Sequence, residues 1–433
     1  MFGCQQIIIK ADKDTQAIIE YLCHESNNLY NCAVYYGRQI WFKTKRIVTG
    51  FDLTAEMKTN RHFNAGYASS MQQTCINVGE AFKSFRQLLA KSKAGDLAQN
   101  PKAPNYRKTG GLFTVTYPKR WLKVTDGLIR FPLGNQVKAW FGIRDFFLPV
   151  PTNLDWNIVK EVRLLPRNGC FYAEFVYSTD IVQTQLDPSR ALGLDHGLNN
   201  WLTCVSNVGT SFIVDGKHLK SLNQWYNKQI STMKDGKPQG FWSRTLADIT
   251  EKRNRQMRDA VNKAAKIVIN HCLENNIGTI VFGWNVGQKD YINLGSKTNQ
   301  KFVSVPTAKL KTRISQLCEQ YGIQFVETEE SYTSKSSFLD DDELPKYGEK
   351  PNQWKPSGKR VKRGLYRTAN FGYVNADANG AANILRKVKG KLRLDLSGLI
   401  RGILTMPIRT KLWSNSVQES PHFLDGASVA RAV

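Results

Sequence analysis

The 433 residues read as a multi-domain chain of mixed class: a β domain interrupted by helices, followed by an α/β domain. Three observations carry that reading. Short β-like runs lie on both sides of a long helical block. Beyond Asp187-Pro188 the grammar changes to three consecutive strand-like runs, then helices and strands in alternation. The length allows roughly two to four domains of ~100–200 residues each. A hydrophobic share of 41% supplies enough apolar material for packed cores and excludes wholesale disorder.

Ile7-Ile8-Ile9 opens as a short strand. Helical periodicity starts near Thr15, with Ile18, Ile19, Leu22, Leu29, Ala33 and Tyr36 on the inner face. A second helix is expected over 69–91. Met71, Cys75, Val78, Phe82, Phe85 and Leu89 recur there at alternating spacings of four and three, one apolar stripe. Pro101, Pro104 and Gly110-Gly111 then break the chain. Runs at 113–117, 128–131, 137–141, 158–165 and 170–177 alternate with turn residues and predict a small antiparallel barrel or sandwich. Because the first strand precedes the helices, the β domain is expected to comprise residues 1–14 and 112–185, with a helical domain at 15–111 inserted.

Strands are expected at 191–195, 201–206 and 211–214, and a long helix over 247–275. A buried strand at 278–282, a helix from Pro306 to 321, a strand at 323–329 and a helix at 376–387 complete the α/β domain, 186–390. Pro306 suits a first helical turn. This order is compatible with a ribonuclease-H-like fold. Residues 218–276 are expected to be a helical insertion and 331–372 a basic insertion that contacts nucleic acid. Residues 391–433 lack sustained periodicity and are expected to be a disordered tail.

Lys and Arg number 61 against 36 Asp and Glu, a net charge of +25. An excess of that size fits a polyanion, since each cation that neutralises a phosphate releases a condensed counterion. A solvated basic surface is the plainer account. No apolar run approaches the ~20 residues of a membrane span, and the N-terminus lacks a secretory pattern. The expected address is the cytoplasm, with a prokaryotic nucleoid association. Eight widely separated cysteines, with no CxxC pair, read as small buried apolar residues.

Three acidic positions are candidates for chemistry. Asp195 ends the run Ala191-Leu192-Gly193-Leu194 and precedes His196-Gly197; from local sequence alone a capping or turn aspartate is the plainer account. Val326-Glu327-Thr328-Glu329-Glu330 crowds three acids at a strand end, where metal, protonation or solvent must relieve their repulsion. Period-two alternation puts Glu330 on the face of Thr328 and Val326, with Glu327 and Glu329 opposite. Asp377 lies in Asn375-Ala376-Asp377, where helix capping is the alternative role. Three carboxylates in a basic protein suit Mg²⁺ or Mn²⁺, two ions of which can drive phosphodiester hydrolysis.

Gly193-Leu194-Asp195-His196-Gly197, the stretch from Glu329 to Ser334, Gly364-Leu365-Tyr366-Arg367, and Asn375-Ala376-Asp377 running into Asn379-Gly380-Ala381-Ala382-Asn383-Ile384 occur in this order. Taken jointly they resemble the TnpB family, the RNA-guided nucleases of insertion sequences related to type V CRISPR effectors and Fanzors. The resemblance implies a RuvC-like nuclease domain preceded by a wedge-type β-barrel and a helical recognition domain. It also implies a guide RNA, a double-stranded DNA target beside a short adjacent motif, and two Mg²⁺ or Mn²⁺ ions. The protein would act as a monomer or dimer, and Asp195 and Asp377 take the first and third catalytic positions.

Two departures from the family pattern stand out. The usual middle glutamate would end the run Ile280-Val281-Phe282-Gly283-Trp284-Asn285, and no acid is present there. A rearranged subgroup carries it just before a Thr-Ser pair, which matches Glu330, with Glu329 in reserve. The usual cysteine pairs are also missing: no cysteine or histidine lies between Thr333 and Asp377, so no zinc is expected. Two other functions stay open, a nuclease-inactive RNA-guided DNA-binding protein and a transposase.

Basic residues expected to contact nucleic acid are Lys335, Lys359, Arg360, Lys362, Arg363 and Arg367 in the second insertion. Arg253, Arg255 and Arg258 on the long helix join them, as do Tyr106, Arg107 and Lys108 in the proline-rich break, where an aromatic stands beside cations.

Overall fold

The computed structural model describes residues 1–97, 99–182, 184–285 and 305–413. The chain divides into two compact units, residues 1–180 with 240–251, and residues 181–239 with 252 onward.

In the first unit β1 (Phe2–Ile8) leads into α1 (Lys13–Thr44), which Asp12 caps by accepting from the Thr15 N–H. Three further helices follow, α2 (Gly50–Met57), α3 (Arg61–Asn64) and α4 (Ala68–Lys93). The stripe read from the sequence is the buried face of α4: Met71, Cys75, Val78, Phe82 and Phe85 are enclosed, and Leu89 packs on their edge. Six strands follow the proline break, β2 (Val115–Pro118), β3 (Lys123–Thr125), β4 (Leu128–Pro132), β5 (Asp145–Pro149), β6 (Val159–Arg167) and β7 (Cys170–Ser178). They form two antiparallel sheets with β1, in the orders β1-β7-β6-β2 and β3-β4-β5.

The run at 137–141, expected as a strand, is instead the helix α5 (Asn135–Phe141). Only Val137 in it is β-branched, and Gly142, at φ 68°, supplies the left-handed residue that ends a helix. The short β3 and β5 carried no readable alternation.

The second unit is built on six strands: β8 (Asp187–His196), β9 (Asn200–Ser206), β10 (Ser211–Asp215), β11 (Ile277–Gly283), β12 (Gln324–Thr328) and, far along the chain, β16 (Ile408–Thr410). Their order is β12-β11-β8-β9-β10-β16. β12, β11 and β8 run parallel, β8 to β10 form an antiparallel meander, and β16 joins β10 in parallel. The helices are α6 (Lys217–Lys234), α7 (Arg244–Glu274, whose residues through 251 are counted in the first unit), α8 (Thr307–Tyr321), α9 (Ala376–Leu392) and α10 (Arg401–Thr405). Leu192, Leu194, Ile280 and Phe282 bury one sheet face against Ala264 and Val268 of α7 and Leu310 and Ile314 of α8. Ala191 and Val281 bury the other against Ala381, Ala382, Ile384 and Leu385 of α9. α9 lies so close to β8 that a Cβ on Gly193 would sit 2.6 Å from the Ala381 carbonyl oxygen.

Between β12 and α9, three short strands, β13 (Lys359–Lys362), β14 (Leu365–Arg367) and β15 (Tyr373–Asn375), form a small antiparallel sheet. Residues 391–413, expected to belong to a disordered tail, are structured. Leu394, Leu396, Leu399 and Leu404 are buried against α9, and β16 closes the sheet edge. Leucines without helical or strand periodicity gave no signal there; residues 414–433 lie outside the described residues. No described helix is long and apolar enough to cross a membrane.

Candidate metal centre

Three chain segments converge at the end of the central strands of the second unit. Asp195 is the penultimate residue of β8, on the face that packs on α9. Nothing larger than glycine fits opposite it: a Cβ on Gly380 would lie 2.8 Å from Asp195 Oδ2. Burial, reinforced by the Glu330 and Asp377 carboxylates, holds the Asp195 carboxyl well above the usual range.

Glu330 lies just beyond β12 with its side chain only 12% exposed, which removes the solvated-turn account of this acid. Asn285, two residues beyond β11, holds it twice: the Glu330 N–H donates to Asn285 Oδ1 at 3.0 Å, and Asn285 Nδ2 donates to Glu330 Oε1 at 3.4 Å. Glu329 goes elsewhere. Its carboxylate takes a hydrogen bond and an ion pair from Lys387 of α9. Burial pushes its pKa up, but hydrogen bonds from Lys387 and Ser331 outweigh that and leave it below the usual range. The expected alternation fails here because β12 ends at Thr328, and without the pleat Glu329 turns toward α9.

Asp377 stands in the first turn of α9 but does not cap it. Asn375 does, accepting from the Asp377 and Ala378 N–H groups at 3.0 Å each. The Asp377 carboxylate is thereby free for other partners, Asn200 Nδ2 at 2.7 Å and Arg360 at 2.8 Å. Further along the helix, buried Asn379 and Asn383 donate to the Ser336 carbonyl, and Asn383 also reaches the Thr333 carbonyl. These bonds fasten the segment that follows Glu330 to α9.

Ligand atoms of Asp195, His196 and Glu330 all lie within 4.8 Å of one another. Two carboxylates and an imidazole in that space, with the Asp195 carboxyl crowded by like charge, fit a divalent cation. His196 directly follows Asp195 in the chain. Its place in the cluster, like those of Asn285 and Asn200, left no local signal beyond its being next to Asp195.

The basic candidates divide. Arg107 is already occupied, its guanidinium 4.4 Å above the Phe113 ring and bonded to Asn27. Lys108 is exposed, though its carbonyl anchors Asn27, and Tyr106 lies half open with Arg38 over its ring. Arg253 is bound to Asn223 of α6 at 2.6 and 3.0 Å and covers Tyr226, so it ties two helices together. Arg255 is exposed and Arg258 half-buried. Lys335, Lys359, Lys362, Arg363 and Arg367 are exposed around the small sheet, and Arg360 pairs with Asp377. Carboxylates hold the loops of this insertion: Asp340 accepts from Ser337, Ala369 and Asn370, and Asp342 from Ser337 and Ser357.

Residues 174–287 match the family model OrfB_IS605, described as a probable transposase. No curated protein matches the chain. Among solved structures, a Cas12f1-sgRNA-target DNA complex aligns over 86% of this chain and 83% of its own, with a TM-score of 0.56 at 16% identity. That establishes a common multi-domain α/β fold. A CRISPR-Cas12f ternary complex covers 86% and 81% at 14% identity, with a TM-score of only 0.31. The segment matched by the family model contains β8 and Asp195.

Proposed function

We propose that the protein is an RNA-guided DNA endonuclease that hydrolyses phosphodiester bonds in a guide-matched duplex beside a short adjacent motif. One observation carries the reading: Asp195 at the end of β8 and Glu330 beyond β12, far apart in the chain, have ligand atoms within 4.8 Å, and the Asp377 carboxylate at the start of α9 is near enough to act on the charge of Asp195. That is the arrangement of a RuvC-like, ribonuclease-H-like nuclease domain, and the six-stranded order with its antiparallel meander supports it. Residues 1–14 with 112–185 are assigned as the wedge-type domain and 15–111 as the helical recognition domain.

Asp195, Glu330 and Asp377 would hold Mg²⁺ or Mn²⁺. When bound, a pair of such ions supplies an activated water and neutralises charge on the departing oxygen. The chain's own part is positioning. Asn285 orients Glu330, Asn200 and Arg360 orient Asp377, and Gly380 leaves room for Asp195. Guide RNA and target DNA are the proposed partners, gripped through phosphates by the exposed cations around β13 to β15. The solved Cas12f1 complex contains both kinds of nucleic acid.

RNA that co-purifies with the protein from its host would be sequenced, and the complex given a matching duplex with Mg²⁺. Wild type should cut it, while Asp195→Ala loses cleavage by ~10³-fold or more and retains target binding. Equal cutting by both proteins would remove the reading. Binding without cutting by wild type would favour the inactive guided binder, and joining of donor ends would favour a transposase.

A further inference from the structure

The ring of His196 poses a question that the three-carboxylate reading leaves open. Its side chain is 14% exposed, and Nδ1 is shut off from solvent without a hydrogen-bond partner among the described residues. A buried polar nitrogen left without a partner destabilises a fold, so a bare packing role is unfavourable where leucine would fill the space. Glu330 Oε2 lies 3.4 Å from Nδ1 without forming a hydrogen bond. Asp195 lies within the same 4.8 Å cluster. The ring is fixed from the other side by Phe282 and Trp284, whose centroids stand 6.0 and 5.4 Å from its own. Nδ1 is therefore held toward the acids.

We propose that His196 Nδ1 is a direct ligand to a divalent ion shared with Asp195 and Glu330. This gives the centre one nitrogen donor and a preference for Mn²⁺, or a similar borderline transition ion, over Mg²⁺. The inference rests on the metal-site reading above. Neutral imidazole, with its proton on Nε2, donates the Nδ1 lone pair to the ion, and no bond breaks. Imidazole suits transition metals, whereas magnesium takes oxygen ligands. A site of oxygen donors alone would show little discrimination by His196.

The test is Mn²⁺ bound at substoichiometric ratio to the full-length protein, examined by electron spin-echo modulation, with affinities for Mn²⁺ and Mg²⁺ measured by calorimetry. Wild type should show nitrogen modulation of the histidine type, altered when the protein is grown with ¹⁵N-histidine, a readout that needs no variant. His196→Gln should lose the modulation and bind Mn²⁺ at least ~10-fold more weakly, the smallest effect expected when even outer partners are worth that much. Its Mg²⁺ affinity should change by no more than about twofold. Mn²⁺ bound to wild type without nitrogen modulation, or equal Mn²⁺ affinity in His196→Gln, overturns the ligand assignment alone. Asp195→Ala binding Mn²⁺ as tightly as wild type overturns the metal site itself.

Discussion

Gly380 is the residue on which the geometry of the centre turns. Its missing side chain leaves room for Asp195 Oδ2, which would sit 2.8 Å from a Cβ at that position. In Gly380→Ala the helix gains up to ~1 kcal/mol of propensity, yet the carboxylate is pushed aside. Guided cleavage should fall by about 100-fold, the usual cost of an ångström of misplacement, with the thermal midpoint unchanged or higher. Lowered stability with full activity would contradict this account. Asp340 makes a different point. Burial works against its ionised form, but hydrogen bonds from Ser337, Ala369 and Asn370 outweigh that and depress its pKa in the folded protein. A depressed carboxylate stabilises the fold at neutral pH and loses that contribution as pH falls through the folded value, below about pH 4. Asp340→Asn should unfold more easily at pH 7 by about 2 kcal/mol and show a shallower loss of stability on acidification, followed by circular dichroism.

At the scale of elements, α9 is the organiser. Asn375 caps it, Asp377 extends from its first turn, Asn379 and Asn383 clasp the 333–338 segment, and its alanines lie flat on β8. The motif that carried the family resemblance is thus a set of packing and hydrogen-bonding devices around one carboxylate. The segment after α9 belongs to the same assembly. A chain ending at residue 390 would lose β16 and the buried Leu394, Leu396, Leu399, Leu404 and Leu412. At ~1.5–3 kcal/mol for each buried leucine, the loss is comparable to the ~5–15 kcal/mol of a typical domain. The truncated protein should be insoluble or lack a cooperative transition; a normal melting curve would show that the segment adds little.

For the whole molecule the dominant quantity is charge. With a net +25, affinity for a non-matching duplex should fall linearly on a log–log plot against salt, by ~10³-fold or more between 50 and 200 mM if six or more phosphates are contacted. Fluorescence anisotropy would measure the slope, and a flat response would exclude the phosphate-dominated contact proposed for the exposed cations. Neutralising Lys359, Lys362 and Arg363 together should shallow the slope, whereas Arg253, spent on Asn223 and Tyr226, should affect stability instead.

The sequence by itself determined most of the longer elements in their order, the α4 stripe, the meander of β8 to β10, and Asp195, Glu330 and Asp377 as candidates. Periodicity and strand-end position are local properties, and so are readable. Only the tertiary structure decided which of two adjacent glutamates faces Asp195, because that choice depends on Lys387 and Asn285, far away in the chain. It likewise separated Arg107 and Arg253, already held by protein partners, from cations such as Lys359 and Lys362 that are free to meet a ligand. It placed His196 with the acids and drew the leucines after residue 390 into the core. Each of these outcomes depends on contacts across dozens to hundreds of residues, and such contacts leave no period in the chain.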